Sequence, residues 1–449
     1  MKMWFDEDFS FCTKIQNLSE HKAQYSSRLG AILTMVGVAV GLGNVWRFPY
    51  MMGSYGGSAF LLIYFAFTIL FAFPALITEM SLGKANGEGT ISSYASIFKG
   101  SIGKGLGILL VLVVTIAGSY YAVVVANVWY STFFSIVEGF SPETTSQYQD
   151  TLGNGILQYL CTVLLVIVAL LVVFLGLKKG IERISMFIMP FFVLAILYMI
   201  IHAWMMPGAI QKAQEFLSPD FASVGSTEIF AALGQAFFSV GLGGTFVVVY
   251  SGYISESSQI PKIAMLTCLG DLGSSVLVSL FLVPAILVLG LEMNAGPSLI
   301  FNTLPELFST LPGGRLIGSL FLIALSLVAF LSLIAAFQVP LSSLKIKSFS
   351  KKKLIIAFGV LQIVLTLPSA LYPEIIGTLD LVFGSGMQVF GSMMAIVGVW
   401  WGVKNKKFIG LLFTNPNGKF ARFSKFWLRW AIPGTLLTVL IGYLYDNFL

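Results

Sequence analysis

The chain has 449 residues, 57% of them hydrophobic and 10% charged, with a mean hydropathy of +0.89. Soluble domains are about 45–50% apolar and about 25% charged, so the composition excludes a soluble globular protein and points to a polytopic membrane protein in a lipid bilayer. The net charge of +6 would suit nucleic acid, but its sorting along the chain argues for no nucleic-acid partner.

A hydrocarbon core takes roughly 20 apolar residues per helix, and the sequence predicts eleven such spans. They run over 28–50, 57–82, 105–136, 155–177, 183–206, 227–255, 262–291, 313–344, 353–370, 377–403 and 424–445. Residues 1–27 are polar and lack the apolar region and cleavage site of a secretory leader. They are expected to form a cytoplasmic N-terminal segment before a single transmembrane domain over 28–449. The longest exterior connections are 137–154 and 292–312, and "NTLPELFSTLP" in the latter suits short helices lying over the surface.

Basic residues fall in alternate loops: Lys2, Lys14, Lys22 and Arg28, then Lys84, Lys99 and Lys104, then Lys178, Lys179 and Arg183. Lys262, the run Lys345 to Lys353 and the segment Lys404 to Arg429 continue the pattern, while the intervening loops carry only Lys212 and Arg315. Lys and Arg are retained on the cytoplasmic side. The expected protein is therefore a multi-pass protein of the cell membrane, with its N-terminus cytoplasmic and its C-terminus extracellular. Cys12, Cys161 and Cys268 imply no disulfide framework, and His21 and His202 form no metal-ligand cluster. No set of nucleophile, base and orienting group emerges, so the chain does not read as an enzyme.

Span 1 carries "GVAVGLGN" at 37–44 and span 6 carries "SVGLGGT" at 239–245. Each interior glycine costs about 1 kcal/mol of helix propensity relative to alanine. Unwound backbone is tolerated in a membrane only where it lines a protein-enclosed cavity. There its free amides can hold a carboxylate and its carbonyls a cation. Close helix packing is the other use of such glycines. Matched interruptions five spans apart favour broken helices at a transporter's binding site, in two halves of opposite orientation, spans 1–5 and 6–10.

At these residues the sequence resembles the neurotransmitter:sodium symporter family, particularly its bacterial amino-acid carriers with the leucine-transporter fold. The matching stretches are "RLGAILTMVGVAVGLGNVWRFPY", "GGSAFLLIYF", "FPALITEMSLGK", "SYYAVVVANVWY", "GIERISMFIMP" and "LGQAFFSVGLGGTFVVVYSGY". The resemblance implies an all-α fold of two inverted five-helix repeats with helices 1 and 6 broken. It also implies sodium-coupled symport of an amino acid by alternating access.

Carried over position by position, the resemblance assigns the substrate carboxylate to the amides of Leu42 and Gly43 and the Tyr121 hydroxyl. The amino group falls to carbonyls of Ala39, Phe238 and Ser239. Gly41 stands where monoamine carriers have an acid, which favours an α-amino acid. The first Na+ would use Ala39, Asn44, Ser239 and Asp271. Asp271 replaces a frequent asparagine and supplies the negative charge whose lack underlies chloride dependence in the family, so transport is expected to be chloride-independent. The second Na+ would use Gly37, Val40, Val328 and Ser332, with Leu331 where another hydroxyl often stands. Ala117, Gly241, Gly244, Ser332 and Ala336 would line a side-chain pocket wide enough for hydrophobic or aromatic amino acids, unless a neighbour such as Phe237 fills it.

Arg47 and Asp380 would form an outer gate with Tyr253 and Phe238, and Lys22 and Tyr25 match inner-gate positions. The acid expected near residue 346 is replaced by "LKIKS", so the inner ion pair is not expected. Glu79 and Gln235 would support the broken helices. Gly180 and Pro190 match a family spacing linked to unwinding of span 5. Asp271 and Leu331 also leave open a proton-coupled carrier or an amino-acid exchanger, and a non-transporting amino-acid sensor on the same scaffold is a further alternative.

Overall fold

The computed structural model describes residues 23–87, 89–292, 296–344, 350–402 and 418–448. Its described regular structure is entirely helical. Apolar side chains face both inward and outward, as a bilayer demands. On the helix Gly155–Gly176, Leu160, Leu164, Ile167, Leu171 and Phe174 form an exposed stripe at helical spacing, which suits contact with lipid.

Among the described residues, eight helices are long and apolar enough to cross a membrane. The bent pair Arg28–Ala39 and Gly43–Ser54, which meet at 61°, makes a ninth when counted as one span. The difference from the eleven expected spans lies in two places. Spans 4 and 5 join in one helical stretch, Gly155–Trp204, of 50 residues. A straight helix of that length would reach ~75 Å, far beyond one hydrocarbon core, and Gly176 interrupts it at φ 80° and ψ −172°. Span 6 is split into Ser226–Ser239 and Phe246–Ser251, each too short to cross alone.

The remaining long helices are Ser58–Asn86, Ser101–Val137, Ile260–Val288, Gly314–Ser343, Lys351–Leu371, Ile375–Trp401 and Arg422–Tyr443. We number the helices as spans 1 to 11 in chain order, counting each broken helix as one span and Gly155–Gly176 and Arg183–Trp204 as spans 4 and 5. Spans 3 and 8 share the most extensive helix contact and form the centre of the bundle. The connection before span 8 departs from expectation. It does form helices, Leu299–Thr303 and Leu304–Thr310, but Leu304, Leu307 and Phe308 are buried rather than lying over the surface. The Phe308 ring stands 2.7 Å from where a Cβ on Gly318 would be, so that glycine admits the ring.

Candidate functional site

Span 1 stops at Ala39 because Val40 turns extended, at φ −70° and ψ 122°. The Gly41 N–H, freed by the break, donates to Asn44 Oδ1 at 2.8 Å. Nδ2 of the same amide donates to Asp271 Oδ1 at 2.7 Å and Ser275 Oγ at 2.8 Å, and lies 3.3 Å from Ser239 Oγ. Ser239 Oγ donates to Asp271 Oδ2 at 2.6 Å. All four side chains are buried. The span 1 break, the end of the first half of span 6 and the middle of span 7 therefore meet in one oxygen-rich cluster.

Three expected first-sodium ligands, Asn44, Ser239 and Asp271, meet here, and the fourth, Ala39, lies on the wall of the adjoining cavity. Ser275 joins them without having been expected; its signal was its place one helical turn after Asp271. Asn44 differs from expectation in detail, because its oxygen satisfies the broken backbone and its nitrogen faces the cluster. The two ends of an amide are assigned from their hydrogen bonds, and a half-turn about χ2 would present the oxygen. The carboxylate and hydroxyls suit a hard cation, and a carboxylate inside a membrane calls for such a partner.

The second expected ion position is less open. Ser332 Oγ donates to the Val40 carbonyl at 3.1 Å, and Val328 is buried on the same helix. However, Leu331 Cδ1 and Met189 Sδ stand 2.8 and 3.3 Å from the place of a Cβ on Gly37. Apolar atoms thus pack where a further hydroxyl would be needed.

Beside the cluster lies a cavity of about 880 Å³, lined by residues that include Gly41, Ser239, Ala336, Gln149, Pro297 and Pro373. Its size falls in the range of ligand sites, about 300–1,000 Å³. Of the expected substrate contacts, Ala39, Leu42, Gly43, Ala117, Tyr121, Phe238, Ser239, Gly241, Ser332 and Ala336 line it. Tyr121 Oη and Ser332 Oγ converge on Gly41, at 3.5 and 3.1 Å from the position of a Cβ there. Phe238 covers Gly43, 2.9 Å from its Cβ position.

Gly244 is the exception. The Phe246 ring occupies the space its side chain would take, and Phe246 itself lines the cavity. Phe237 is buried and stands outside the wall. The neighbour that fills the space beside Gly244 is thus Phe246 rather than Phe237. Gly241, with φ 68°, faces open space.

The gate residues are arranged differently from expectation. Arg47 stacks on Phe238, 4.8 Å from the ring centre, and makes no ion pair with Asp380; among the described residues Lys212–Glu215 is the one salt bridge. Tyr120 Oη instead donates to Asp380 Oδ1 at 3.1 Å. Arg47 and Asp380 both line the cavity. Tyr253 is not part of that gate. It follows the second half of span 6 and packs on Tyr25, with ring centres 6.3 Å apart, and Tyr25 N–H donates to its carbonyl at 3.1 Å. Because it comes after the break, it lies toward the other end of the bundle. Lys22 lies outside the described residues.

The two proposed helix supports also differ. Glu79 accepts the Gly243 N–H at 3.0 and 3.3 Å through its two oxygens, holding the span 6 break. Gln235 is buried with neither amide atom hydrogen-bonded, so it gives the break no polar support. Gly180 allows the Val172 carbonyl to approach closely. Pro190 sits inside a continuous helix, and span 5 is wound along that stretch.

Comparison with known proteins decides the family. The model of the "Sodium:neurotransmitter symporter family" matches residues 22–151 and 145–446. The chain belongs to this family. A similar relative is the "Uncharacterized sodium-dependent transporter YhdH" of Bacillus subtilis, 30% identical over 79% of this chain and 80% of that protein. An "Uncharacterized sodium-dependent transporter" of Haemophilus influenzae is 25% identical over 95% of this chain and 99% of its own length. Among solved structures, MhsT in complex with L-phenylalanine superposes with a TM-score of 0.83 at 28% identity, covering 94% of this chain and 99% of that one. This symporter-family chain is accordingly a sodium-dependent membrane transporter and not an enzyme.

Proposed function

We propose that this symporter carries a hydrophobic or aromatic α-amino acid together with Na+, without chloride, by alternating access. The observation that carries the reading is the direct adjacency of the Asn44, Ser239 and Asp271 cluster to a cavity whose wall includes Gly41, Leu42, Gly43 and Tyr121. A substrate carboxylate at the broken backbone would lie beside the cation, so each ligand would stabilise the other. Ala117, Gly241, Ala336, Phe238 and Phe246 supply small and aromatic apolar walls, and the relative MhsT was solved with L-phenylalanine.

In this reading residues 28–449 act as one transporter unit, with the basic loops cytoplasmic and the Arg47–Asp380 side exterior. The structure described then corresponds to an outward-facing arrangement. Sodium binding favours that state, substrate draws Arg47 and Asp380 together, and release follows opening at the other end. Each ligand shifts the equilibrium only by its differential affinity for the two states.

Uptake of a panel of amino acids into proteoliposomes under a sodium gradient tests the proposal. Phenylalanine-sized apolar substrates are expected to accumulate with or without chloride, and Asp271→Asn is expected to introduce chloride dependence. Uptake driven equally well by a pH gradient alone would favour proton coupling. The packing of Leu331 and Met189 at Gly37 is the observation that keeps this second reading in view.

A further inference from the structure

The first half of span 1, Arg28–Ala39, is tied to span 5 by one carboxylate. Glu182 closes the segment Leu177–Glu182 that leads into span 5 and is 1% exposed. It accepts the Ser26 N–H at 3.1 and 2.9 Å, the Ser26 hydroxyl at 2.7 Å and the Ser27 N–H at 3.3 Å. Ser27 Oγ in turn accepts the Gly30 N–H at 2.9 Å. A negative group at a helix N-terminus is favoured by the free amides and by the helix dipole, and this one comes from a different span 155 residues away. Gly30 makes the approach possible, because a Cβ there would overlap the Glu182 carboxylate.

We propose that Glu182 is a positioning residue for transport: a latch on the N-terminus of span 1 that holds the inner side closed and is released once per cycle, with Gly30 as its seat. The inference rests on the alternating-access reading above. The break at Val40 lets the first half of span 1 move apart from the second. To open the basic end, that half must part from span 5, and Glu182 joins the two. The latch also answers the missing acid near residue 346, since it closes the inner side through backbone amides rather than an ion pair. Release is feasible because a cavity of about 640 Å³ reaches Ser26, Ser27 and Arg28. Water entering there can solvate the amides and the carboxylate as they separate.

The test uses Ser185, which is buried one helical turn beyond Glu182 and donates only to its own helix, at Ile181 O. Ser185→Cys is placed in the full-length protein with Cys12, Cys161 and Cys268 replaced. Its labelling by a membrane-impermeant maleimide from the basic-loop side is timed in sodium. Glu182→Gln and Gly30→Ala are each expected to speed labelling about tenfold, the scale of losing charge-assisted hydrogen bonds. Gly30→Ala should add nothing in a Glu182→Ala background, where its space is vacant. Unchanged labelling in both single variants, or a Gly30→Ala effect that persists without Glu182, would overturn the latch. Sodium-dependent uptake by the parent protein is measured in the same preparation. Its absence sinks the transport reading, whereas normal uptake with unchanged labelling sinks the latch alone.

Discussion

The two broken helices are held in different ways. The break in span 1 is stapled from within, by Asn44 one turn further along the same span, and that amide also joins the Ser239, Asp271 and Ser275 cluster. The break in span 6 is stapled from outside, by Glu79 on span 2, whose carboxylate grips Gly243. Backbone freed in a membrane must find a partner in either case. The difference is that the span 1 staple shares its atoms with the buried Ser239, Asp271 and Ser275 cluster, while the span 6 staple bonds Gly243 alone among the cluster and the two breaks. Under the proposed function, the staple of the first break responds to ions and substrate, and the staple of the second stays fixed while residues beside it, Ser239 and Gly241, face the cavity.

The variants that challenge this contrast can be ordered by expected effect. Gly243→Ala comes first, since Gly243 has φ 78° and the Gln388 carbonyl occupies its Cβ position. It is expected to cost on the order of 3 kcal/mol, read as loss of folded protein in size-exclusion chromatography of detergent extracts. Asn44→Ala follows. It strips the staple and leaves Gly41 and Asp271 short of a partner, for a loss of about 2 kcal/mol, or roughly thirtyfold in sodium-dependent substrate binding.

Glu79→Gln keeps the shape and one good acceptor for Gly243. It is expected to lower thermal stability by about 1 kcal/mol while leaving the sodium concentration dependence of binding unchanged. A sodium shift as large as that of Asn44→Ala would erase the contrast. Thr245→Gly is the smallest. Thr245 is a β-branched residue at φ 59°, and its buried hydroxyl has no partner. Relief of that strain is expected to raise thermal stability by up to about 1 kcal/mol, and a fall in stability would show that the side chain's packing outweighs its strain.

Much of this arrangement was legible in the sequence because glycine runs and hard oxygen ligands carry their chemistry locally. "GVAVGLGN" marked its break, and Asn44, Ser239 and Asp271 meet as the family resemblance implied. The failures come from relations between elements. Tyr253 was placed at the wrong end, although its position after the span 6 glycine run already put it beyond the break. Phe246 over Gly244, and Tyr120 rather than Arg47 on Asp380, depend on rotamers that no spacing encodes. Gln235 looked like a support yet is buried without a partner. Glu182 went unmarked because its partners are backbone amides of Ser26 and Ser27 and the Ser26 hydroxyl, groups that carry no charge pattern in the sequence.

The central claim is that the span 1 break couples substrate to sodium. Equilibrium binding of radiolabelled L-phenylalanine to the purified protein, in sodium and in potassium, measured for the parent and for Asn44→Ala, tests it most directly. Tight binding that requires sodium is expected in the parent, and the sodium dependence is expected to be largely lost in the variant. Equal binding in the two salts, or an Asn44→Ala protein with unaltered sodium dependence, would contradict it.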